Sequence, residues 1–321
     1  DDVLGAGLRR LVDIVGKHRD KILENYPPRD VIRRNTGYPL DDIAFRAPFG
    51  DDGPFSLARF LCGTEGTLGL TTEVKLRVVD KPKHTLIVAA HFEELHVALE
   101  ATVLAIQHDH AAVELIDRRI LEQTKKNLAQ RENRFFIEGD PDAILVIEFY
   151  RDSTEELEAA AEKVTKALRD AGSGYSFPVV RNPDDARVWA LRKAGLGLLM
   201  GITGDTKAVS VIEDTAVPVP QLPAYVADVQ EVMARFETDT VYHAHASVGE
   251  LHIRPELNLK EPGDVEKMAG IAQAIADLVR DYSGSLSGEH GDGRVRAPYL
   301  EGFFGSEVYE MHRSVKAAFD P

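Results

Sequence analysis

A chain of 321 residues is long enough to bury a large core and to divide into two domains. Its content of 44% hydrophobic and 28% charged residues is that of a globular protein, and no apolar run approaches the ~20 residues a membrane helix needs. A net charge of −15 argues against a nucleic-acid partner, and the single cysteine, Cys62, excludes an internal disulfide and an iron–sulfur cluster held by this chain.

The lone thiol suits a reducing cytoplasm, with peripheral attachment to a membrane left open, and no basic segment followed by an apolar one opens the chain. The abrupt ends, Asp1-Asp2 and Phe319-Asp320-Pro321, suggest that both termini are cut. Val3 to Tyr26 carries a helical stripe that Pro27-Pro28 stops. Phe49 to Pro54 reads as a loop. A glycine-punctuated turn, Gly63 to Gly69, then leads into Leu70 to Val79, where Val74, Leu76 and Val78 alternate with polar residues as in a strand.

From Lys83 the rhythm changes. Strands are expected at 85–91, 112–116 and 143–150, with helices at 93–107, 117–130 and 153–171, the last with Ser153 as N-cap and Glu156 three residues on. Helices follow at 184–200, 221–236 and 264–282, with extended pieces at 208–217, 240–245 and 251–254 between them. Strand–helix units of this length predict a sheet with helices on one face, and the domain boundary falls near Lys81-Pro82.

Four stretches carry the chemistry. Gly63-Thr64-Glu65-Gly66-Thr67-Leu68-Gly69 brings three glycines and two hydroxyls together, so backbone N–H groups can approach a phosphate or ribityl chain closely. An ordinary tight turn into a strand is the competing reading. His245 and His252 stand seven apart, and a turn at Gly249 would fold the chain back so that both imidazoles reach one ion. Glu289-His290 lies between glycines; in an extended segment the carboxylate can ligate a metal while the imidazole faces elsewhere in the same cavity. Two imidazoles and a carboxylate suit Zn²⁺ with a position left for substrate, although chance clustering of solvated histidines, His243 among them, is the alternative. Arg192 follows Trp189 on a helix, where a guanidinium can clamp a substrate carboxylate or simply face solvent. Lys207, Arg254 and Arg294 are weaker candidates for the same task.

At these residues the sequence resembles the flavin-linked oxidases of the vanillyl-alcohol oxidase type, in the D-lactate and D-2-hydroxyglutarate dehydrogenase branch. The resemblance rests on Asn35-Thr36-Gly37-Tyr38, Gly63 to Gly69, Val113-Glu114-Leu115-Ile116-Asp117, Trp189-Ala190-Leu191-Arg192, His245 to His252 and Gly288-Glu289-His290-Gly291, in the family's order. It implies an α+β chain: residues 1–82 as the C-terminal part of an FAD-binding domain, 83–310 as a substrate (cap) domain of antiparallel sheet and helices, and 311–321 returning towards the FAD domain. Asn35, Tyr38 and the turn Gly63, Thr64, Glu65, Gly66, Thr67, Leu68 and Gly69 would lie against FAD. His245, His252 and Glu289 would bind a divalent metal, zinc above all; His290 would be the base; Arg192 would grip the substrate carboxylate, with Lys207 and Arg254 as further substrate contacts on the reading of the residues alone.

The family's first FAD subdomain would precede Asp1 and an iron–sulfur region, the electron acceptor, would follow Pro321, so this chain is expected to hold FAD weakly or not at all. Leu196 and Glu250 depart from the hydroxyglutarate enzymes, which carry Thr and Asn there. The implied reaction is oxidation of a small anionic D-2-hydroxy acid to the 2-oxo acid. A metal-free flavin alcohol oxidase and a ligand-binding cap fragment lacking FAD are the alternatives.

Overall fold

The computed structural model describes residues 2–320; Asp1 and Pro321, where the expected domains begin and end, lie outside the described residues. The chain divides into two compact units. The first comprises the residues up to Val78, Asp214–Ala216 and the residues from Gln273 onward; the second comprises Val79–Glu213 and Val217–Ala272. The first division lies close to Lys81-Pro82, but the chain re-enters the first unit well before residue 311. That second division falls inside the continuous helix Pro262–Asp281, so no loop composition marks it.

Among the described residues the strands are, in chain order, β1 (His84–Phe92), β2 (Ala112–Asp117), β3 (Ala143–Arg151), β4 (Val179–Arg181), β5 (Lys207–Ala208), β6 (Thr215–Ala216), β7 (Thr240–His245) and β8 (Glu250–Leu257). All but β6 belong to the second unit, where they pair antiparallel in the order β4-β1-β3-β2-β7-β8-β5. The long pair β1–β3 runs from His84 opposite Arg151 to Phe92 opposite Ala143. Both strands carry Val, Ile and Phe, whose side chains pack well on a pleated surface.

Helices cover both faces of this sheet, not one. Ile87 and Ala89 of β1, Ile116 of β2 and Ile144 and Val146 of β3 share a core with Ile120 and Leu121 of the helix Arg118–Lys126 and Val188 and Leu191 of the helix Asp185–Met200. Leu86, Val88 and Ala90 point the other way and are equally buried, with the helices Leu95–Ala105 and Thr154–Asp170 packed on that side. Each fully buried aliphatic side chain contributes about 1.5–3 kcal/mol, so a strand apolar on both faces demands two coverings. Ser153 caps its helix as expected, accepting from the Glu156 N–H at 3.2 Å. The expected helix at 117–130 is instead two short ones broken at Asn127, whose side chain caps the second.

In the first unit the helix Val3–Asn25 packs on the helix Ser306–Phe319. The expected strand at Leu70 to Val79 does not form: Leu70, Val74, Leu76 and Val78 are all well exposed. Alternation supplies one apolar face, but a strand also needs a neighbouring backbone, and none pairs with it among the described residues.

Candidate functional site

In the second unit β7 and β8 form a tight pair. The turn expected at Gly249 is there, with φ +72°, and a Cβ at that position would sit 1.9 Å from the Val217 carbonyl oxygen. It returns the chain so that His245 lies opposite Glu250 and His243 opposite His252. Glu250 and His252, two residues apart on β8, share a face. Donor atoms of His245, Glu250 and His252 lie within 4.8 Å of one another.

Each of the two expected metal histidines is anchored through Nδ1. His245 Nδ1 meets Glu114 Oε1 at 2.8 Å, and His252 Nδ1 meets the Glu213 carbonyl at 3.1 Å. A carbonyl or an ionised carboxylate only accepts, so Nδ1 carries a proton in each ring, and in the neutral imidazole that leaves the lone pair on Nε2. Glu114, from β2, also accepts from Arg192 Nη2 at 2.9 Å, tying the expected carboxylate clamp to the His245 anchor. Arg192 is only 13% exposed in its side chain, which disposes of the solvated-face reading; its buried Nε has no hydrogen-bond partner among the described residues. Trp189, one turn earlier, donates from Nε1 to Glu148 at 2.7 Å.

His243 is buried against His252, ring centroids 4.6 Å apart. Burial first, then the neighbouring His252, Arg192 and Arg254, holds it well below the usual histidine range and keeps it neutral. Arg254 is buried too, donating to Glu213 Oε2 at 2.9 Å and to Ser210 Oγ at 2.5 Å. Lys207 donates to the Ile202 carbonyl.

In the first unit the loop Ser287–Arg294 presents Glu289 and His290, their side chains 33% and 43% exposed. Its backbone is held from three sides. Asp214, fully buried, accepts from Ser287 Oγ at 2.6 Å, the Glu289 N–H at 3.2 Å and the His290 N–H at 3.0 Å. Asn35 donates from Nδ2 to the Glu289 carbonyl at 2.9 Å, and Thr36 Oγ1 accepts from the Ser287 N–H at 2.6 Å. Glu65 accepts from the Asp292 and Gly293 N–H groups, both at 2.9 Å. Gly291, at φ +80°, permits this approach, because a Cβ there would lie 2.8 Å from Glu65 Cδ. Thus both segments assigned to FAD, Asn35–Tyr38 and Gly63–Gly69, also grip the loop of the expected base.

Thr64 Oγ1 donates to the Leu61 carbonyl and Thr67 Oγ1 to the Thr64 carbonyl, while Tyr38 OH meets Thr67 Oγ1 at 2.8 Å. Leu68 is buried. The hydroxyls therefore stabilise the turn itself, and nothing crowds a Cβ built at Gly69. Tyr38, Gly63, Thr64 and Thr67 line a cavity of about 440 Å³; Gly63 and Asn35 also line a second one of about 490 Å³, together with Arg33, Arg34 and Arg59. Burial, with Glu65 and Asp214 nearby, pushes the Asp292 carboxyl up to about 7 against the opposing hydrogen bond from the Gly37 N–H. Arg294 is exposed.

Sequence reasoning gave no role to Glu114, Glu213, Asp214 or Arg296. A signal existed for two of them: Glu213-Asp214-Thr215 interrupts the apolar run from Val211 to Val217, and all three are buried.

Residues 81–321 match the family described as FAD linked oxidases, C-terminal domain, and the chain belongs to that family. It is 30% identical over 316 residues to the D-2-hydroxyglutarate dehydrogenase of Escherichia coli (strain K12), covering 95% of this chain and 30% of the relative. To the D-lactate dehydrogenase of Anaerostipes hadrus it is 28% identical over 272 residues, covering 83% of this chain and 56% of the relative. The chain thus spans about a third or less of the hydroxyglutarate dehydrogenases it matches. Among solved structures, p-cresol methylhydroxylase with substrate bound shares the fold at a TM-score of 0.54 and 12% identity, over 76% of this chain and 52% of that one. No helix among the described residues is long and apolar enough to cross a membrane.

Proposed function

We propose that this chain is part of a flavin-dependent dehydrogenase that oxidises a D-2-hydroxy acid, of the D-lactate or D-2-hydroxyglutarate class, to the 2-oxo acid. His245, His252 and Glu289 are the metal ligands, His290 is the base, and Arg192 receives the substrate carboxylate. The observation that carries the reading is the Nδ1 anchoring of both histidines, one by a carboxylate and one by a backbone carbonyl. Metal-binding imidazoles characteristically donate their second ring nitrogen in this way, which fixes the tautomer and raises ligand basicity. A pair of solvated histidines has no need of it. The residues therefore fit a divalent cation, and two imidazoles with carboxylates suit zinc.

When bound, the flavin takes up two electrons and the cation acidifies a hydroxyl group. The chain's own residues do the rest. Arg192, already fixed at one end by Glu114, has its buried Nε left for a carboxylate oxygen and so orients the substrate. His290 takes the proton from the substrate hydroxyl, a role that typically contributes about 10²–10⁴-fold. The backbone of its loop is held by Asp214 and Glu65, so the imidazole is presented from a fixed main chain. The glycines of the 63–69 turn and Tyr38 contribute to the flavin's seat, and the electrons leave to an acceptor that we take to be an iron–sulfur region of the full-length protein.

The test is single-turnover flavin reduction by D-lactate and by D-2-hydroxyglutarate in full-length protein. His290→Ala should retain FAD and lose reduction by at least about 10²-fold. Reduction at the wild-type rate would remove His290 from the mechanism, and failure of both acids to bleach the wild-type flavin would remove the substrate class.

A further inference from the structure

We infer that Glu250 is a fourth protein donor to the cation, beside His245, His252 and Glu289, so that β7, the Gly249 turn and β8 supply a His–Glu–His set from one strand pair. This inference rests on the metal reading of His245 and His252, and it concerns a residue that departs from the Asn expected in the hydroxyglutarate enzymes.

The geometry comes from the hairpin. Gly249, held left-handed and pressed against the Val217 carbonyl, sets the register that puts Glu250 across from His245. Strand periodicity then puts His252 on the same face as Glu250. The result is three donor atoms within 4.8 Å of one another, from residues that span eight positions of sequence. Ligands about 2.0–2.2 Å from a common ion stand about 3–4 Å apart, so donors already within 4.8 Å of one another need only small side-chain adjustments to meet on one ion.

Burial adds a second argument. Glu250 is fully buried and His252 is 4% exposed. A doubly charged ion is often the largest local charge in such a site and favours a buried carboxylate in its ionised form. The tautomers already argued leave Nε2 of both imidazoles as lone-pair donors, so the three groups present one anion and two neutral ligands. An Asn at the same position would offer a neutral amide oxygen. Glu250 lowers the net charge of the loaded site by one, which strengthens metal retention and weakens the ion as a Lewis acid.

The experiment measures metal binding, not turnover. The purified chain is stripped of metal, and its Zn²⁺ affinity is measured by competition with a chromophoric chelator; Co²⁺ is added separately and its visible bands recorded. Wild type should bind one Zn²⁺, His252→Ala should lose it, and Glu250→Gln should bind more weakly by more than the ~10–100-fold that loss of an outer-shell partner costs, with altered Co²⁺ bands. If neither wild type nor His252→Ala binds zinc stoichiometrically, the metal reading itself fails. If wild type binds, His252→Ala does not, and Glu250→Gln keeps wild-type affinity and Co²⁺ bands, the metal reading stands and the role of Glu250 is overturned. Should Glu250→Gln fail to fold, Glu250→Asp decides: a carboxylate drawn back by one methylene should shift the Co²⁺ bands and weaken Zn²⁺ by about 10-fold, and unchanged values on both counts overturn the inference.

Discussion

Asp214→Asn tests whether one buried carboxylate holds the loop of the expected base. Asp214 is fully buried; its Oδ2 accepts from Ser287 Oγ and the His290 N–H, and its Oδ1 is the nearer acceptor for the Glu289 N–H. An Asn is nearly isosteric, but its amide nitrogen must replace one of these oxygens and so turns a donor towards an N–H or O–H. One charge-assisted hydrogen bond is lost, worth about 1.5–3 kcal/mol, and a buried donor is left without its acceptor. Arg296, itself buried with Nη2 3.6 Å from Asp214 Oδ2, loses its anion as well. Removing one partner of a buried pair typically costs about 3–5 kcal/mol, so the expected loss lies in that range, about two to four powers of ten in the folding equilibrium. Urea unfolding, read as the change in midpoint at constant slope, measures it. A loss below about 1 kcal/mol would refute the claim that Asp214 organises the loop.

Two further outcomes follow from the same geometry. Gly249→Ala and Gly172→Ala both force a side chain onto a left-handed residue, at φ +72° and φ +67°, but only Gly249 is crowded, with its Cβ position 1.9 Å from the Val217 carbonyl. Gly172→Ala should cost the backbone strain alone, about 1–2 kcal/mol, while Gly249→Ala should cost well above that or yield insoluble protein; equal losses in thermal melts would show that the close approach is not decisive. Asp292 titrates near 7 in the folded protein against 3.8 in the open chain. Between those values only the unfolded chain releases its proton, so this group's contribution to stability falls as pH rises. At ~1.4 kcal/mol per pH unit the fall is bounded at about 4 kcal/mol. Asp292→Asn should flatten the stability profile between about pH 4 and about pH 7, and an unchanged profile in urea titrations would exclude Asp292 as its source.

The long elements of the second unit were legible because periodicity and punctuation agree there. β1, β2 and β3 are runs of Val, Ile, Leu and Ala bounded by polar or helical stretches, and Ser153 with Glu156 marks a helix start unambiguously. Where one signal spoke alone it misled. Leu70 to Val79 alternates as a strand should, yet pairing depends on a backbone elsewhere, which no local pattern encodes. Asn127 is a helix-tolerant residue in a window that reads as continuous, and its capping side chain is what divides it. The one-face expectation overlooked that Leu86 to Ala90 leaves no polar position for solvent.

The candidate site divides along a similar line. Residues with exposed or unusual chemistry, His245, His252, Glu289 and His290, stand out in a sequence because glycines and histidines surround them. Their supports do not, since Glu114 sits in an ordinary strand and Asp214 beside another acid. Yet the supports determine what the visible residues can do. Glu114 holds His245 Nδ1 with one oxygen and Arg192 with the other, so the proposed ligand and the proposed clamp cannot be set independently. Asp214 does the same for two consecutive N–H groups in the Glu289-His290 loop. In a chain with 53 acidic and 38 basic residues, these few buried carboxylates act as multi-point acceptors. An oxygen pair can hold two donors at a defined separation, which no single amide or hydroxyl achieves. That capacity suits acidic residues to the positions behind both the anchored histidines and the Glu289-His290 loop.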